Sequence, residues 1–199
     1  NHGGPVTKTY KEDVPESVEN YVSTLKEKLI RMAVEASQNV ELFRMGVGKG
    51  SCNMNINRRA EYVGGYVGLG RNPDGPCDHE LSVAKFEDMD HNLMAVYVNW
   101  PCHGTVSGNS NYQITGDWPG AAARYIKEKA GEDIVVGVTA GASGDINPIY
   151  GPGNNFRKIE TIGFHVANEA WKILEQTKVF PVISIQTAYT SMSFPGKKR

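Results

Sequence analysis

Residues 81–105 have the sequence LSVAKFEDMDHNLMAVYVNWPCHGT, and this stretch decides the fold class. Residues 81–86 alternate in the manner of a half-buried strand, and residues 93–99 form a second, apolar strand. The charged segment 88–92 between them predicts a hairpin turn. The second strand runs into a Pro-Cys-His-Gly-Thr loop, so we predict that His103 lies at a strand end, where α/β folds place reactive groups.

Helices and strands alternate on both sides of this hairpin. Three segments have the apolar spacing of amphipathic helices: Ser17, a candidate cap, to about Gln38; Pro119 to about Lys129; and 159–174. Three more have the character of strands: 41–47, 134–139 and 182–189. Two irregular stretches are predicted to be loops: 51–80 and 139–153. This order predicts an α/β fold, with a layered mixed sheet flanked by helices and no interdomain linker.

The composition is that of an ordinary globular chain. It has 199 residues, 40% hydrophobic and 22% charged, with a formal net charge of −1. These values argue against disorder, and the near-zero charge gives no electrostatic reason to expect nucleic acid as a partner. No run approaches the roughly 18 apolar residues of a membrane span. We therefore treat residues 1–199 as a single domain.

The three cysteines do not define a disulfide scaffold. A bridge between Cys52 and Cys77, with Cys102 reduced, is compatible with the sequence, and so are three buried thiols. Cysteine usage therefore does not fix the redox compartment.

A second strand-end loop joins His103 as a candidate site. It follows strand 134–139 and contains Ser143, Asp145 and Asn147. Two such loops that carry His, Asp, Asn and Ser side chains predict a site at one edge of the sheet.

Several other features have plainer explanations. His91 is read as a solvated turn residue and His165 as an ordinary helix histidine, whereas His79 is ambiguous. The glycine cluster 46–50 has the spacing of neither a dinucleotide fingerprint nor a P-loop. The other candidates also have structural explanations. Arg58 and Arg59 fit a solvated pair on a loop, and Asp117 fits a helix cap. Asp145 fits an Asx turn that bonds its own backbone, and Trp100 and Trp118 fit core or wall positions.

Five motifs, in order along the chain, resemble those of neutral ceramidases. They are Asn1-His2-Gly3-Gly4-Pro5; Asn57-Arg58; residues 81–86 with 93–105; Ile114-Thr115-Gly116-Asp117-Trp118-Pro119-Gly120; and Gly144-Asp145-Ile146-Asn147-Pro148. The resemblance implies that 1–199 is the N-terminal portion of a larger catalytic domain. The start at Asn1, without Met, fits the expectation of a fragment or a processed chain.

The resemblance also implies an activity and a set of site residues. Neutral ceramidases are zinc amidases that cleave ceramide into sphingosine and a fatty acid, with zinc bound by two His, a Glu and a Tyr. By this similarity His103 is a zinc ligand, His2 polarises the substrate or transfers a proton, and Arg58 contacts the scissile carbonyl or its oxyanion. Asp145 is implied to bind substrate together with Arg58.

Three of the four zinc ligands are implied to lie outside this chain. The expected partners are therefore the remainder of the same polypeptide or a second chain, together with a lipid or other amide substrate. A secreted or periplasmic location is implied by the resemblance alone.

One position departs from the family pattern. Where the Gly-Asp-x-Ser-Pro motif has a catalytic Ser, this chain has Asn147, which is not a nucleophile. Asn147 can instead donate a hydrogen bond to an oxyanion or orient a zinc-bound water. Either a zinc-activated water attacks without a Ser, or the activity differs from ceramide hydrolysis; Ser143 as a replacement nucleophile is a weaker alternative. A second hypothesis is a non-catalytic homologue that binds a lipid or glycan on the same scaffold. An unrelated α/β domain would instead leave His2, Arg58, His103 and Asn147 far apart.

Overall fold

The computed structural model describes residues 14–131, 133–182, 184 and 186–195. Within them the elements follow in the order α1 (Glu16–Gln38), β1 (Arg44–Ser51), β2 (Asn55–Tyr62), β3 (Tyr66–Asn72), β4 (Glu80–Glu87), β5 (Leu93–Asn99), α2 (Asp117–Ala130), β6 (Val135–Thr139), β7 (Ile146–Pro148), α3 (Phe156–Gln176) and β8 (Phe180–Pro181). The fold is mixed α/β, with two sheets and flanking helices, as the sequence predicts.

The larger sheet has the strand order β6-β5-β4-β1-β8. The β5–β6 pair is parallel and the other pairs are antiparallel. The predicted β4–β5 hairpin is confirmed, and the Asp88 carboxylate closes its turn by accepting from the backbone N–H groups of Asp90 and Asn92, both at 2.8 Å. His91 takes a positive φ of 69° in this turn and its Nδ1 lies 3.1 Å from Glu87 Oε2.

Helices α2 and α3 cover one face of this sheet and form the core with it. Leu81, Val83, Val96 and Val98 of the sheet are buried against apolar residues of α3. The two helices approach closely at Gly163, where an added Cβ would lie 2.4 Å from Ala121 Cβ. Gly163 therefore sets the spacing between the helices.

The glycine cluster of β1 is also a packing feature. Gly46, Gly48 and Gly50 face α3 and the residues just after it, so a Cβ on Gly46 would lie 2.1 Å from the Lys178 carbonyl oxygen. A Cβ on Gly48 would lie 2.3 Å from Thr177 Oγ1. The three glycines allow β1 to lie close beneath the helix end.

The prediction that 51–80 is a loop is wrong, and the predicted loop 139–153 contains the short strand β7. Strands β2 and β3 form a hairpin within residues 51–80, and β7 pairs with the other edge of β2 to give a second sheet, β3-β2-β7. The buried positions Asn55 and Asn57 are polar, so the strand lacks the apolar alternation from which strands are recognised.

Three boundary predictions also need correction. The predicted strand 182–189 is wrong, because pairing is limited to Phe180–Pro181 and the described residues after Pro181 form no strand. Proline has no N–H to donate, so it is poorly suited to continue a ladder. Ser17 is not the helix cap, since α1 already begins at Glu16, and β1 begins at Arg44 and extends through the glycine cluster.

Helix α1 differs from α2 and α3 because none of its residues is buried. Its predicted amphipathic stripe is present but exposed, with Leu29 at 53% and Met32 at 61% of full exposure. Across the described part of the chain, no helix combines the length and apolar character needed to cross a bilayer.

Candidate functional site

Arg58 lies on β2, directly beside β7, the short strand that carries Asn147. On one side, the pairing of β2 with β3 shifts by one residue between Asn57 and Arg59, a β-bulge opposite Arg58. On the other side, β2 pairs with β7, with Ile56 opposite Asn147. The reading of Arg58 as a solvated loop residue is therefore wrong.

The Arg58 guanidinium is fixed by several hydrogen bonds. Its Nη2 and Nε donate to the Gly144 carbonyl at 2.8 and 3.2 Å, and Nη1 donates to Asn147 Oδ1 at 3.4 Å. Partial burial lowers the pKa of Arg58, Arg59 acts in the same direction, and Asp145 opposes them. An arginine remains charged after such a shift, so the site contains a positioned cation.

The Asn147 side chain joins the two strand-end loops. Its Oδ1 accepts from Arg58 and also from Thr105 Oγ1 at 3.5 Å, and Thr105 lies two residues after His103. Since Oδ1 takes both bonds, Nδ2 is the part of this amide suited to donate to a ligand oxygen.

The backbone of His103 is held on both sides. Its N–H donates to the Ile146 carbonyl at 3.1 Å, next to Asn147, and its carbonyl accepts from Trp118 Nε1 at 3.0 Å. Trp118 is fully buried and meets Trp100 edge-on, with ring centroids 4.9 Å apart, which confirms both indoles as core residues. The segment that carries His103 therefore rests on the core.

Asp117 is not the helix cap that the sequence predicts, because Gly116 is the N-cap of α2 and Asp117 is its first residue. Its carboxylate accepts from Trp118 N at 2.8 Å and from the backbone N–H groups of Val106 and Ser107 at 3.2 and 2.8 Å. It therefore connects the start of α2 to the loop that follows His103.

Asp145 connects its loop to β2. Its Oδ2 accepts from the buried Asn57 Nδ2 at 3.3 Å, and its carbonyl accepts from the backbone N–H of Arg58 at 2.7 Å. The carboxylate thus bonds across to the neighbouring strand beside Arg58.

Asn55 and Asn57 are the residues that the sequence reading missed. Asn55 Nδ2 donates to the Pro101 carbonyl at 2.7 Å and to the Asp78 carbonyl at 2.8 Å, and Asn57 Nδ2 donates to the Pro76 carbonyl at 2.8 Å. They hold the loop before β4 and the segment before His103 in place. The available signal was their spacing of two residues, which places both on one face of a strand.

His79 belongs to this supporting network. Its Nδ1 lies 2.5 Å from Asn55 Oδ1 and 3.8 Å from Cys77 Sγ. The ambiguous histidine of the sequence is thus a partner of a buried amide.

The three cysteines are free thiols, so the candidate Cys52–Cys77 bridge is absent. Burial is the main cause that raises the pKa of Cys52 to about 11, and burial likewise raises the pKa values of Cys77 and Cys102. Such thiols are unreactive at neutral pH, which argues against a cysteine nucleophile here.

A metal at His103 would need ligands from elsewhere. In residues 14–131, 133–182, 184 and 186–195, no group of three His, Cys, Asp or Glu side chains could hold a metal ion. His2, the other predicted site histidine, lies outside the described residues. The described residues therefore supply at most part of a metal site.

The structure thus brings together three of the four residues that an unrelated domain would leave far apart, Arg58, His103 and Asn147. Arg58 and Asn147 are hydrogen-bonded, and the backbone of His103 pairs beside Asn147. The wide separation expected of an unrelated domain is not found for these three, and their chemical roles remain predictions.

Two solved structures share this fold. A neutral ceramidase from Pseudomonas aeruginosa matches over 74% of this chain and 25% of its own, with a TM-score of 0.60 and 24% identity. A ceramidase complexed with C2 matches over 68% of this chain and 23% of its own, with a TM-score of 0.56 and 24% identity. The chain therefore spans about a quarter of the length of these structures.

No protein-family model matches the sequence, and no curated protein matches it. At 24% identity the likeness to the two structures concerns the fold. The resemblance to neutral ceramidases is thus confirmed as a shared fold over about three quarters of the chain.

Proposed function

We propose that this chain forms one side of the active site of a zinc-dependent hydrolase that cleaves an amide bond in ceramide or another N-acyl substrate. The observation that carries the proposal is the contact between the Arg58 guanidinium and the Asn147 amide, beside the segment of His103. The fold shared with neutral ceramidases supports the same reading.

In this proposal His103 supplies one imidazole ligand, and the other ligands come from the remainder of the polypeptide or from a second chain. Bound zinc supplies a water whose pKa falls from 15.7 to about 7, which gives a nucleophile at neutral pH. A mixed site of His and oxygen ligands with one open position suits catalytic zinc.

Arg58 and Asn147 act on the substrate carbonyl. Amide hydrolysis places negative charge on the carbonyl oxygen, and positioned donors that already face this oxygen stabilise it. Gly144 and Asn147 orient the Arg58 side chain, so the guanidinium is already in position before substrate binds. Asp145 binds substrate beside Arg58, and His2 transfers a proton or polarises the carbonyl.

Asn147 also supports a second candidate function. An amide cannot attack a carbonyl, so the site also fits a protein that has this fold but catalyses no reaction. Such a protein would bind its lipid or glycan ligand through the same Arg58–Asn147 pair. This candidate predicts binding without turnover.

The test is the zinc content of the complete protein and its hydrolysis of a panel of N-acyl substrates. We expect stoichiometric zinc that is lost in His103→Ala and kept in His91→Ala, a control histidine in an exposed turn. Zinc with hydrolysis supports the proposal, whereas zinc or ligand binding without hydrolysis supports the second candidate. Absence of zinc from both the wild type and the control contradicts a zinc site.

A further inference from the structure

The larger sheet has one face that the described helices leave open. Directly paired residues lie on the same face of a sheet, and two such rows cross β1, β4, β5 and β6. They are Met45, Phe86, Ala95 and Val135 in one row, and Val47, Ala84, Tyr97 and Gly137 in the other. We call these eight residues the open face.

The open face lies opposite α2 and α3. The glycines of β1 point toward α3, so Val47 between them points away from it. Val47, Tyr97 and Val135 are 60%, 46% and 68% exposed. The solvated face of a largely antiparallel sheet usually carries polar residues, so a contiguous apolar face needs a partner.

Helix α1 has a matching surface without a partner. Most of its apolar residues fall on one side of the helix, as a stripe formed by Val18, Tyr21, Val22, Leu25, Leu29, Met32, Ala33 and Ala36, whereas Ile30 and Val34 lie outside this stripe. None of the stripe residues is buried, and the opposite side is mainly polar, with Ser23, Glu27 and Arg31. A 23-residue helix with such a stripe gains most of its stability from tertiary packing.

The connection between the two surfaces is short. Residues 39–43 separate the end of α1 from Arg44, the first residue of β1. Five residues span at most about 17 Å, enough to place the helix about 10 Å above the sheet. A tether this short gives the helix of the same chain a high effective concentration at the open face.

We propose that α1 docks with its apolar stripe on the open face of its own chain, so that the sheet lies between α1 and the α2–α3 layer. Because the tether joins the end of α1 to the start of β1, we expect Leu29, in the middle of the stripe, to come within cross-linking reach of Ala84 in the middle of the open face. This packing is independent of the proposed function, because it involves none of the site residues.

Amide hydrogen exchange of the complete protein tests the docking. We expect the α1 amides to be protected in the wild type. Leu25→Asp puts a charge into the stripe and reduces that protection about 10- to 100-fold, whereas Ser23→Asp, outside the stripe, changes it little. Wild-type α1 amides that exchange as fast as those of a free peptide contradict the proposal and leave the open face to another segment.

Cross-linking identifies which copy supplies the helix. In a Cys77→Ser background, Leu29→Cys with Ala84→Cys should join within one chain through a short bifunctional thiol reagent. The same experiment with Glu27→Cys in place of Leu29→Cys should not. A product between two chains shows that a second copy provides the helix, and no product at all shows that α1 lies elsewhere; either result overturns the proposal.

Discussion

Two neighbouring residues of β2 have different roles in the site: Asn57 supports the backbone, and Arg58 carries the proposed chemistry. Successive strand residues point to opposite faces, so Asn57 is buried and Arg58 reaches the loop of Asn147. Asn57 accepts from Arg59 N at 2.8 Å and donates to Pro76 and Asp145. The buried amide therefore fixes the backbone from which Arg58 extends.

Arg58 and Arg59 form a natural pair for testing the site. If Arg58 stabilises a developing oxyanion, Arg58→Ala lowers kcat about 10²- to 10³-fold. Arg59→Ala, at an exposed position, removes the same charge and should leave kcat within a small factor. Steady-state kinetics on the best N-acyl substrate measures both, and equal losses in the two variants would show a general charge effect in place of a positioned donor.

Cys52 gives the stability a pH dependence in the alkaline range. Its pKa is about 11 in the folded protein, against an ordinary value of 9.0, so the folded thiol stays protonated after the unfolded one has ionised. Below pH 9 the thiol leaves the free energy of unfolding unchanged. As the pH rises from 9.0 to about 11, the free energy of unfolding falls by about 1.4 kcal/mol per pH unit.

Urea unfolding between pH 8 and 11 checks this effect. Cys52→Ala lacks the thiol, so the difference in unfolding free energy between the wild type and this variant should shrink as the pH rises. A difference that stays constant over the range would mean that the buried thiol does not resist ionisation.

At the scale of elements, the sequence predicts best where one face is uniformly apolar. The residues 159, 162, 166, 170 and 174 of α3 recur at helical spacing, and all of them are buried. β2 escaped prediction because its buried face carries amides, and 182–189 was overpredicted because alternation cannot reveal whether a neighbouring strand is present.

The contact between α2 and α3 predicts opposite effects for two glycines. Gly163→Ala places a Cβ 2.9 Å from the Ala122 backbone nitrogen, so we expect the unfolding free energy to fall by about 1–3 kcal/mol. In Gly120→Ala, at an exposed position of α2, the added Cβ has no atom within 4 Å. This substitution should raise the unfolding free energy by about 0.5 kcal/mol. Thermal unfolding compares the two, and a stabilised Gly163→Ala would show that the helices can separate without cost.

At the scale of the whole molecule, the fold class and the two strand-end loops follow from the sequence, whereas their assembly does not. His103 and Asn147 stand out because each follows an apolar strand and lies in a loop rich in small residues. Arg58 gave no such signal, because its position depends on the pairing of β2 with β7, a contact between residues about ninety apart in the chain. Such long-range pairing leaves no local periodicity to read.

The buried contact between Trp100 and Trp118 gives this molecule a built-in optical signal. Two indoles that meet edge-on at 4.9 Å in a rigid core couple their electronic transitions, and Trp118 bonds directly to the carbonyl of His103. A change of the His103 loop should therefore alter the near-ultraviolet circular dichroism of the native protein without any label. Binding of a colourless ligand that moves this loop should therefore be measurable in the circular dichroism of the protein itself.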